Sequence, residues 1–327
     1  MKYVYDAYGM ENPPCGINTT YNAKRVCELE FTATEDMEPP ILVHYELTNF
    51  HQNHKNYYQS RDLFQLLGRP STEQTSLEEY LCEPLNKLGD VYLNPCGLIA
   101  NTFFNDIYSV TSGNDVDGAP LELIEKGIAW ESDLQYKFSQ PNGFEFELCD
   151  NAQPSGNGTC DETCCSAMTR TEEGLSWSCE APAIDPEDGL CYRYHYPDEE
   201  TTQYLYETYP DKINPLEGVT NEHFVVWMRV ATLPTFRKLY GYFDQAIEKG
   251  QTFTIQVESN YVVESFHGSK AVIVSTNNIF GGKNPVLGQS FIVVGFFSLA
   301  AAVFFSLKHW LRPRKLADRK YLHYKED

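Results

Sequence analysis

Basic residues are scarce in this sequence. The 327-residue chain carries 25 Lys and Arg against 46 Asp and Glu, a formal net charge of −21. Nucleic acid is excluded as a partner, because gripping phosphates needs a cationic face. Catalytic signatures are missing as well. There is no G-x-S-x-G elbow, Walker loop, G-x-G-x-x-G fingerprint or H-E-x-x-H pair. There is no D-K-T-G phosphorylation loop either, so the chain is not itself a P-type pump. No repeat at a period of about 20–50 residues is present, which excludes a solenoid. "MKYVYDAYGMENPPCG" at the start lacks the apolar core of a secretory signal.

Charge disappears altogether between Lys283 and Lys308. "NPVLGQSFIVVGFFSLAAAVFFSL" covers 24 positions, Asn284 to Leu307, and about 20 apolar residues cross a bilayer as a helix. We assign a transmembrane helix to 286–307. Lys308, Arg312, Arg314, Lys315, Arg319, Lys320 and Lys325 follow it. A Lys/Arg excess marks the cytoplasmic side, so 308–327 reads as a cytosolic basic tail and 1–285 as a lumenal or extracellular ectodomain. That ectodomain holds 18 basic and 43 acidic residues, which gives it no attraction to anionic headgroups. A lone anchor behind so long an ectodomain leads us to expect a further transmembrane helix upstream, missing from this sequence.

Cysteine usage agrees with this topology. All ten, Cys15, Cys27, Cys82, Cys96, Cys149, Cys160, Cys164, Cys165, Cys179 and Cys191, lie before the apolar segment, as expected for disulfides in an oxidising compartment. Two N-glycosylation sequons, at Asn18 and Asn157, lie on the same side. His51 and His54 share one helical face, with His44 upstream, but no third ligand follows at useful spacing. Cys160, Cys164 and Cys165 read as disulfide partners and not as a zinc site. Adjacent carboxylates such as Glu78/Glu79 and Glu199/Glu200 point apart in any regular structure. We therefore expect no metal, no cofactor and no catalytic residue.

"VCELEFTA" (Val26 to Ala33) and "ILVHYELTN" (Ile41 to Asn49) alternate as strands, and "FTIQVESNYVV" and "KAVIVSTNN" give two more towards the end. Residues 1–34 are otherwise rich in turns. The stretch 50–68 reads as helical or irregular, 69–95 as polar loop, and Pro95 to Asp106 as a compact apolar patch. Residues 141–215 form a cysteine-rich insertion whose six cysteines allow 15 pairings. Farther on, "HFVVWMRVA" from His223 predicts a buried strand that includes Trp227 as core. Pro234 then opens an amphipathic helix in which Phe236, Leu239, Tyr240, Phe243 and Ile247 recur at helical spacing up to Gly250. Arg237 and Lys238 fall off its apolar face as solvated cations.

Five motifs carry a resemblance. "YELTNFHQNHKNYYQSRD" (Tyr45 to Asp62), "NPCGLIANTFFND" (Asn94 to Asp106), "KGIAW" (Lys126 to Trp130), "HFVVWMRVATLPTFRKLYG" (His223 to Gly241) and "STNNIFGGKNPVLG" (Ser275 to Gly288) occur in order. Together they resemble the cell-division-control-protein-50, or ligand-effect-modulator, family over most of the chain outside 141–215. The resemblance implies an accessory beta subunit of a type IV P-type ATPase, a phospholipid flippase. Such a subunit escorts the catalytic alpha subunit out of the endoplasmic reticulum and stays bound as a heterodimer while phospholipid moves, without catalysing the transfer. The resemblance also implies two transmembrane helices, of which the first is absent here, and a glycosylated ectodomain in the endoplasmic reticulum, Golgi, endosome or plasma membrane. It pairs Cys82 with Cys96 and Cys15 with Cys27. Where the family carries a sequon, Asn105 is followed by Asp106 and Ile107, so no glycan is expected there.

The resulting reading is mainly β: an antiparallel sandwich-like ectodomain with helical and disulfide-stapled loop insertions, plus the C-terminal transmembrane helix. Arg237, Lys238 and the juxtamembrane Gly281, Gly282, Lys283, Asn284 and Pro285 are the candidate contacts to the ATPase. The competing reading is a membrane-anchored receptor that uses the cysteine-rich insertion. A lumenal hydrolase lacks a nucleophile–base pair.

Overall fold

Thirteen strands and six α-helices are present among the described residues of the computed structural model, which are 1–17, 25–69, 81–155, 159–161, 164, 182–276 and 285–312. The strands are β1 (Lys2–Ala7), β2 (Arg25–Thr32), β3 (Ile41–Thr48), β4 (Lys87–Leu88), β5 (Val91–Asn94), β6 (Ile107–Ser112), β7 (Glu145–Leu148), β8 (Ala183–Ile184), β9 (Cys191–His195), β10 (Thr202–Tyr204), β11 (Phe236–Phe243), β12 (Thr252–Ser259) and β13 (Ser269–Thr276). The helices are α1 (Lys55–Gln59), α2 (Leu63–Leu66), α3 (Glu131–Tyr136), α4 (Leu205–Thr208), α5 (Glu222–Met228) and α6 (Pro285–Leu311). The chain divides into two compact units, Met1–Thr276 and Asn277–Asp327.

In the first unit a four-stranded antiparallel sheet, β1-β13-β3-β11, shares one core with a three-stranded antiparallel sheet, β2-β12-β6. Alternation in the sequence decides which side chains meet. Ile41, Val43, Tyr45 and Leu47 of β3 point into the core, as do Leu29 and Phe31 of β2 and Phe253, Ile255 and Val257 of β12. Aromatic rings bridge the two sheets: Tyr108 lies 4.3 Å from Tyr240, and Phe253 lies 5.9 Å from Phe243. The mainly β, sandwich-like reading holds. Trp227 is fully buried, as expected, and its Nε1–H donates to Ile99 O at 2.7 Å.

A buried ion pair sits in this core. Asp106 and Lys270 are both wholly shielded from solvent, 2.9 Å apart. Asp106 also accepts from Tyr5 Oη and from the backbone N–H groups of Asn260 and Tyr261, each at 2.6 Å. Lys270 Nζ donates further to Ser259 Oγ and Tyr261 O. Bonds this complete offset the desolvation penalty of burial, which an orphan charge would bear uncompensated.

Two expectations for 223–250 are overturned. The "HFVVWM" run is α5 and not a strand: Asn221 caps it by accepting from Phe224 N, and Glu222 sits in its first turn. A short apolar run alone cannot distinguish the two. The stretch after Pro234 is β11 and not a helix. Phe236, Lys238 and Tyr240 are buried in strand alternation, then the register with β3 shifts between Leu239 and Gly241. That bulge brings Phe243 back inward, so a period of two imitates a helical spacing.

Smaller sheets complete the unit. β10-β5-β4 pairs β10 with β5 in parallel, and β7-β9-β8 is antiparallel within the cysteine-rich region. The bonded cysteines are Cys15–Cys27, Cys82–Cys96, Cys149–Cys164 and Cys160–Cys191. Cys165 and Cys179 lie outside the described residues, as do Glu78 and Glu79. In the second unit, Leu287–Leu311 of α6 is 25 residues long and apolar enough to cross a membrane.

Candidate functional site

Four of the five sequence motifs interlock, and three of them meet at one surface. The first motif runs from the end of β3 through α1 and stops at Asp62, the cap of α2. Asp62 opens α2 by accepting from Phe64 N at 2.7 Å, and Gln65 on its inner side accepts from Cys96 N at 2.8 Å. Ser60 Oγ accepts from Leu98 N and donates to Cys82 O. The second motif thereby braces the first. Gly97 makes that possible: its φ is +97°, and a Cβ there would stand 2.3 Å from Ser60 O. The fourth motif is tied in by Gln52, whose Oε1 accepts from Ala231 N, and by Asn53, whose side chain donates to Thr232 O.

Anchored this way, α2 turns Leu66 inward and leaves Leu63, Phe64 and Leu67 outside. Across from it, α3 and the end of α5 form the opposite wall of a groove of about 600 Å³. Tyr136 stands on that wall, 73% exposed, and Trp130 stands at the N-terminal end of α3, 66% exposed. Cations line the rim: the Arg61 guanidinium lies over Tyr58, Arg69 over Phe64 and Arg229 over Trp130. Between them Asp133 is buried, accepting from Arg229 Nε and from Lys137 Nζ. The Arg229 hydrogen bond in particular holds its carboxyl below the usual carboxylate range. Aromatic and arginine side chains around an apolar centre make up the composition that protein interfaces favour.

A second depression of about 290 Å³ adjoins the groove beneath Trp130, and Arg229, Arg237 and Lys238 line it. Here the expected contacts divide. Arg237 is an exposed cation paired through Nε to Glu46 Oε2 at 2.8 Å, and Lys2 takes the other oxygen of Glu46. Lys238 is not solvated. It is buried, and its ammonium donates to Val226 O, Trp227 O and Arg229 O at 3.0, 2.7 and 2.5 Å. Burial, reinforced by Arg229, pulls its pKa down to about 7. Lys238 closes the C-terminal end of α5, so its head group is not available to a partner. Gly281, Gly282, Lys283 and Asn284 lie outside the described residues, as do the sequon residues Asn18 and Asn157, and Pro285 is the first residue of α6. Among the described residues no group of three His, Cys, Asp or Glu is placed to hold a metal ion.

The third motif, "KGIAW", is held to the N-terminal end of α5 and the turn before it. Glu125 Oε2 lies 2.6 Å from His223 Nε2, Lys126 Nζ reaches Glu217 at 2.6 Å, and Glu222 accepts from Gly127 N and Ala129 N, both at 2.8 Å. Lys212 approaches Glu125 at 3.7 Å and donates to Tyr240 Oη at 2.5 Å. Burial depresses the His223 pKa to about 4 and that of Lys212 to about 8. Sequence patterning missed this cluster and the groove wall carrying Trp130. The available signal was the "EKGIAW" run itself, an acid and a base ahead of an exposed Trp with no apolar periodicity around them.

Comparison with known proteins gives concordant matches. The family described as LEM3 (ligand-effect modulator 3) family / CDC50 family matches residues 11–315. "ALA-interacting subunit 3" of Arabidopsis thaliana is 31% identical over 328 residues, covering 98% of this chain and 75% of that protein. "Cell cycle control protein 50A" of Mus musculus is 34% identical over 289 residues, covering 85% of this chain and 66% of that protein. "Phospholipid-transporting ATPase accessory subunit CRF1" of Saccharomyces cerevisiae is 29% identical over 301 residues, 92% of this chain and 63% of that protein.

Proposed function

The chain belongs to the LEM3/CDC50 family, and from that premise we propose that it is the accessory subunit of a phospholipid-transporting type IV P-type ATPase. The observation that carries this reading is the match along 92% of the chain to a protein named as an accessory subunit of such an ATPase. The chain carries no catalysis of its own. It holds the pump's catalytic subunit in a heterodimer and supports its folding, its exit from the endoplasmic reticulum and the movement of phospholipid. It is anchored by α6 in a membrane of the endoplasmic reticulum, Golgi, endosome or cell surface. Residues 1–285 face the lumen or exterior, glycosylated at Asn18 and Asn157, and 308–327 face the cytosol.

The groove between α2 and α3 is the contact surface we assign within the first unit. Its exposed Leu63, Leu67 and Tyr136 supply apolar anchors, with Phe64 and Trp130 exposed beside it, and Arg61 and Arg229 supply planar cations. Arg237 extends that surface through the adjoining depression, and the juxtamembrane residues 281–285 form a further expected contact.

Purification of the full-length protein in mild detergent tests the proposal, with co-purifying chains identified by mass. A stoichiometric partner bearing a D-K-T-G loop is the expected result. A preparation free of any ATPase, under conditions that keep other membrane complexes intact, overturns it.

A further inference from the structure

Segment 124–130 forms a strap across the N-terminal end of α5, and its fastening has an unusual chemistry. Each of the side-chain bonds described between 124–130 and 217–223 ends on a carboxylate: Glu125 with His223, Glu217 with Lys126, and Glu222 with the backbone N–H groups of Gly127 and Ala129. Only one partner in the set is a histidine, and it is buried. We propose that this strap is a proton-sensitive latch: acidification lifts 124–130 from α5 and opens the depression that Ile128, Ala129 and Trp130 line.

The surroundings of His223 supply the reason. On one side Glu125 meets Nε2 at 2.6 Å. Tyr240 of β11 lies tilted against the imidazole, ring centres 4.5 Å apart, and its Oη accepts from the Lys212 ammonium, which stands 3.7 Å from Glu125. Glu217 and Glu222 flank the strap from the α5 side, Glu187 lies 3.8 Å from Lys126, and Asp106 acts on Lys212 from farther inside the core. With Glu125 ionised, Lys212 charged and His223 neutral, the buried trio is balanced. A second proton on the imidazole would leave a net positive charge beside Lys212 with no water to solvate it. The seated strap therefore refuses that proton, and His223 titrates only near pH 4. Lifting the strap exposes the imidazole to water, where its ordinary pKa is about 6.5. Protons bind the lifted form more readily, so acid favours lifting. Glu125, held low while seated by His223 and Lys212, pushes in the same direction.

The size follows from the two pKa values. Between pH 7 and pH 5 the lifted form gains about 20-fold over the seated one. Segment 124–130 is also tied by backbone at both ends, Ile124 to Tyr242 and Trp130 O to Asp133 N and Leu134 N at the start of α3, so movement is expected in the stretch between them. At the Trp130 end the ring is held as well, by the Arg229 guanidinium 4.9 Å away. The consequence for docking rests on the function proposed above. The latch itself does not, and measurement on this chain without any pump separates the two.

Hydrogen–deuterium exchange on the full-length protein in detergent, at pH 7 and pH 5 and corrected for intrinsic rates, tests it. Peptides covering 124–130 are expected to lose about 20-fold in protection at pH 5, while β12 peptides hold theirs. His223→Gln keeps an N–H for Glu125 but cannot titrate, and most of the pH effect should vanish. Glu222→Gln should loosen the strap at both pH values and leave its pH dependence intact. Equal protection of the wild-type strap at both pH values overturns the latch, whether or not His223→Gln folds. An undiminished pH effect in His223→Gln, or one abolished by Glu222→Gln, overturns the assignment to His223.

Discussion

Arg237 and Lys238 are adjacent cations with opposite circumstances. Strand alternation in β11 sends Arg237 to the surface and Lys238 beneath it, where three backbone carbonyls replace water. Lys238→Met should cost about 2–3 kcal/mol, because those carbonyls are left without a donor. Arg237→Ala should cost less than about 1 kcal/mol, since its pair with Glu46 is largely solvated on the Arg side. Chemical denaturation of the two variants separates the roles. His223 adds a pH signature. Its folded pKa, about 4, lies below its unfolded 6.5, so the unfolded chain binds the extra proton in that interval. Stability is therefore fully present above about pH 6.5 and is lost as pH falls through 4, by about 3 kcal/mol in all. Thermal melts across that interval should slope downward with acid, and His223→Gln should flatten them.

At the scale of elements, legibility in the sequence depended on how local the deciding interaction is. β3 and β12 could be read because alternation lies within a single strand, and β13 because it is a short buried run rich in Val and Ile. β11 could not, because its bulge is defined only against β3. α5 could not, because its apolar run has no polar face to give a period. Asp106 drew notice only as a departure from a sequon, yet it anchors the core through Lys270, 164 positions away, a pairing no local pattern records. The groove was half legible: the motifs that build it stood out, but not that α2 and α3 oppose each other. The disulfide Cys82–Cys96 supports that groove through Gln65 and Ser60. Removing it with Cys82→Ala and Cys96→Ala should cost about 3 kcal/mol. Weakened partner capture should accompany that loss, measured as the ATPase recovered per mole of subunit.

For the molecule as a whole, the charge balance gives the docking groove contrast. In a chain of net charge −21, Arg61, Arg69 and Arg229 cluster on aromatic rings at one surface. Trp130→Ala, combined with Leu63→Ser, should reduce co-purification of the pump at least tenfold while the melting temperature stays near wild type, since both side chains are exposed. Unchanged recovery would place the contact elsewhere.

The order β1-β13-β3-β11 also has a consequence for biosynthesis. Among the described residues the first strand pairs with the last one, and Met1 N reaches Val274 O across 273 positions. β3 has no partner in this sheet until β11 and then β13 have been translated. At about 5–20 residues per second, the nascent chain spends many seconds with the edges of β3 unpaired and its apolar side uncovered. The principal sheet is thus completed only late in synthesis, and slowly by virtue of contact order. Ribosome-stalled chains ending before Ser269 should remain protease-sensitive throughout, which would make the nascent ectodomain a sustained client for lumenal chaperones.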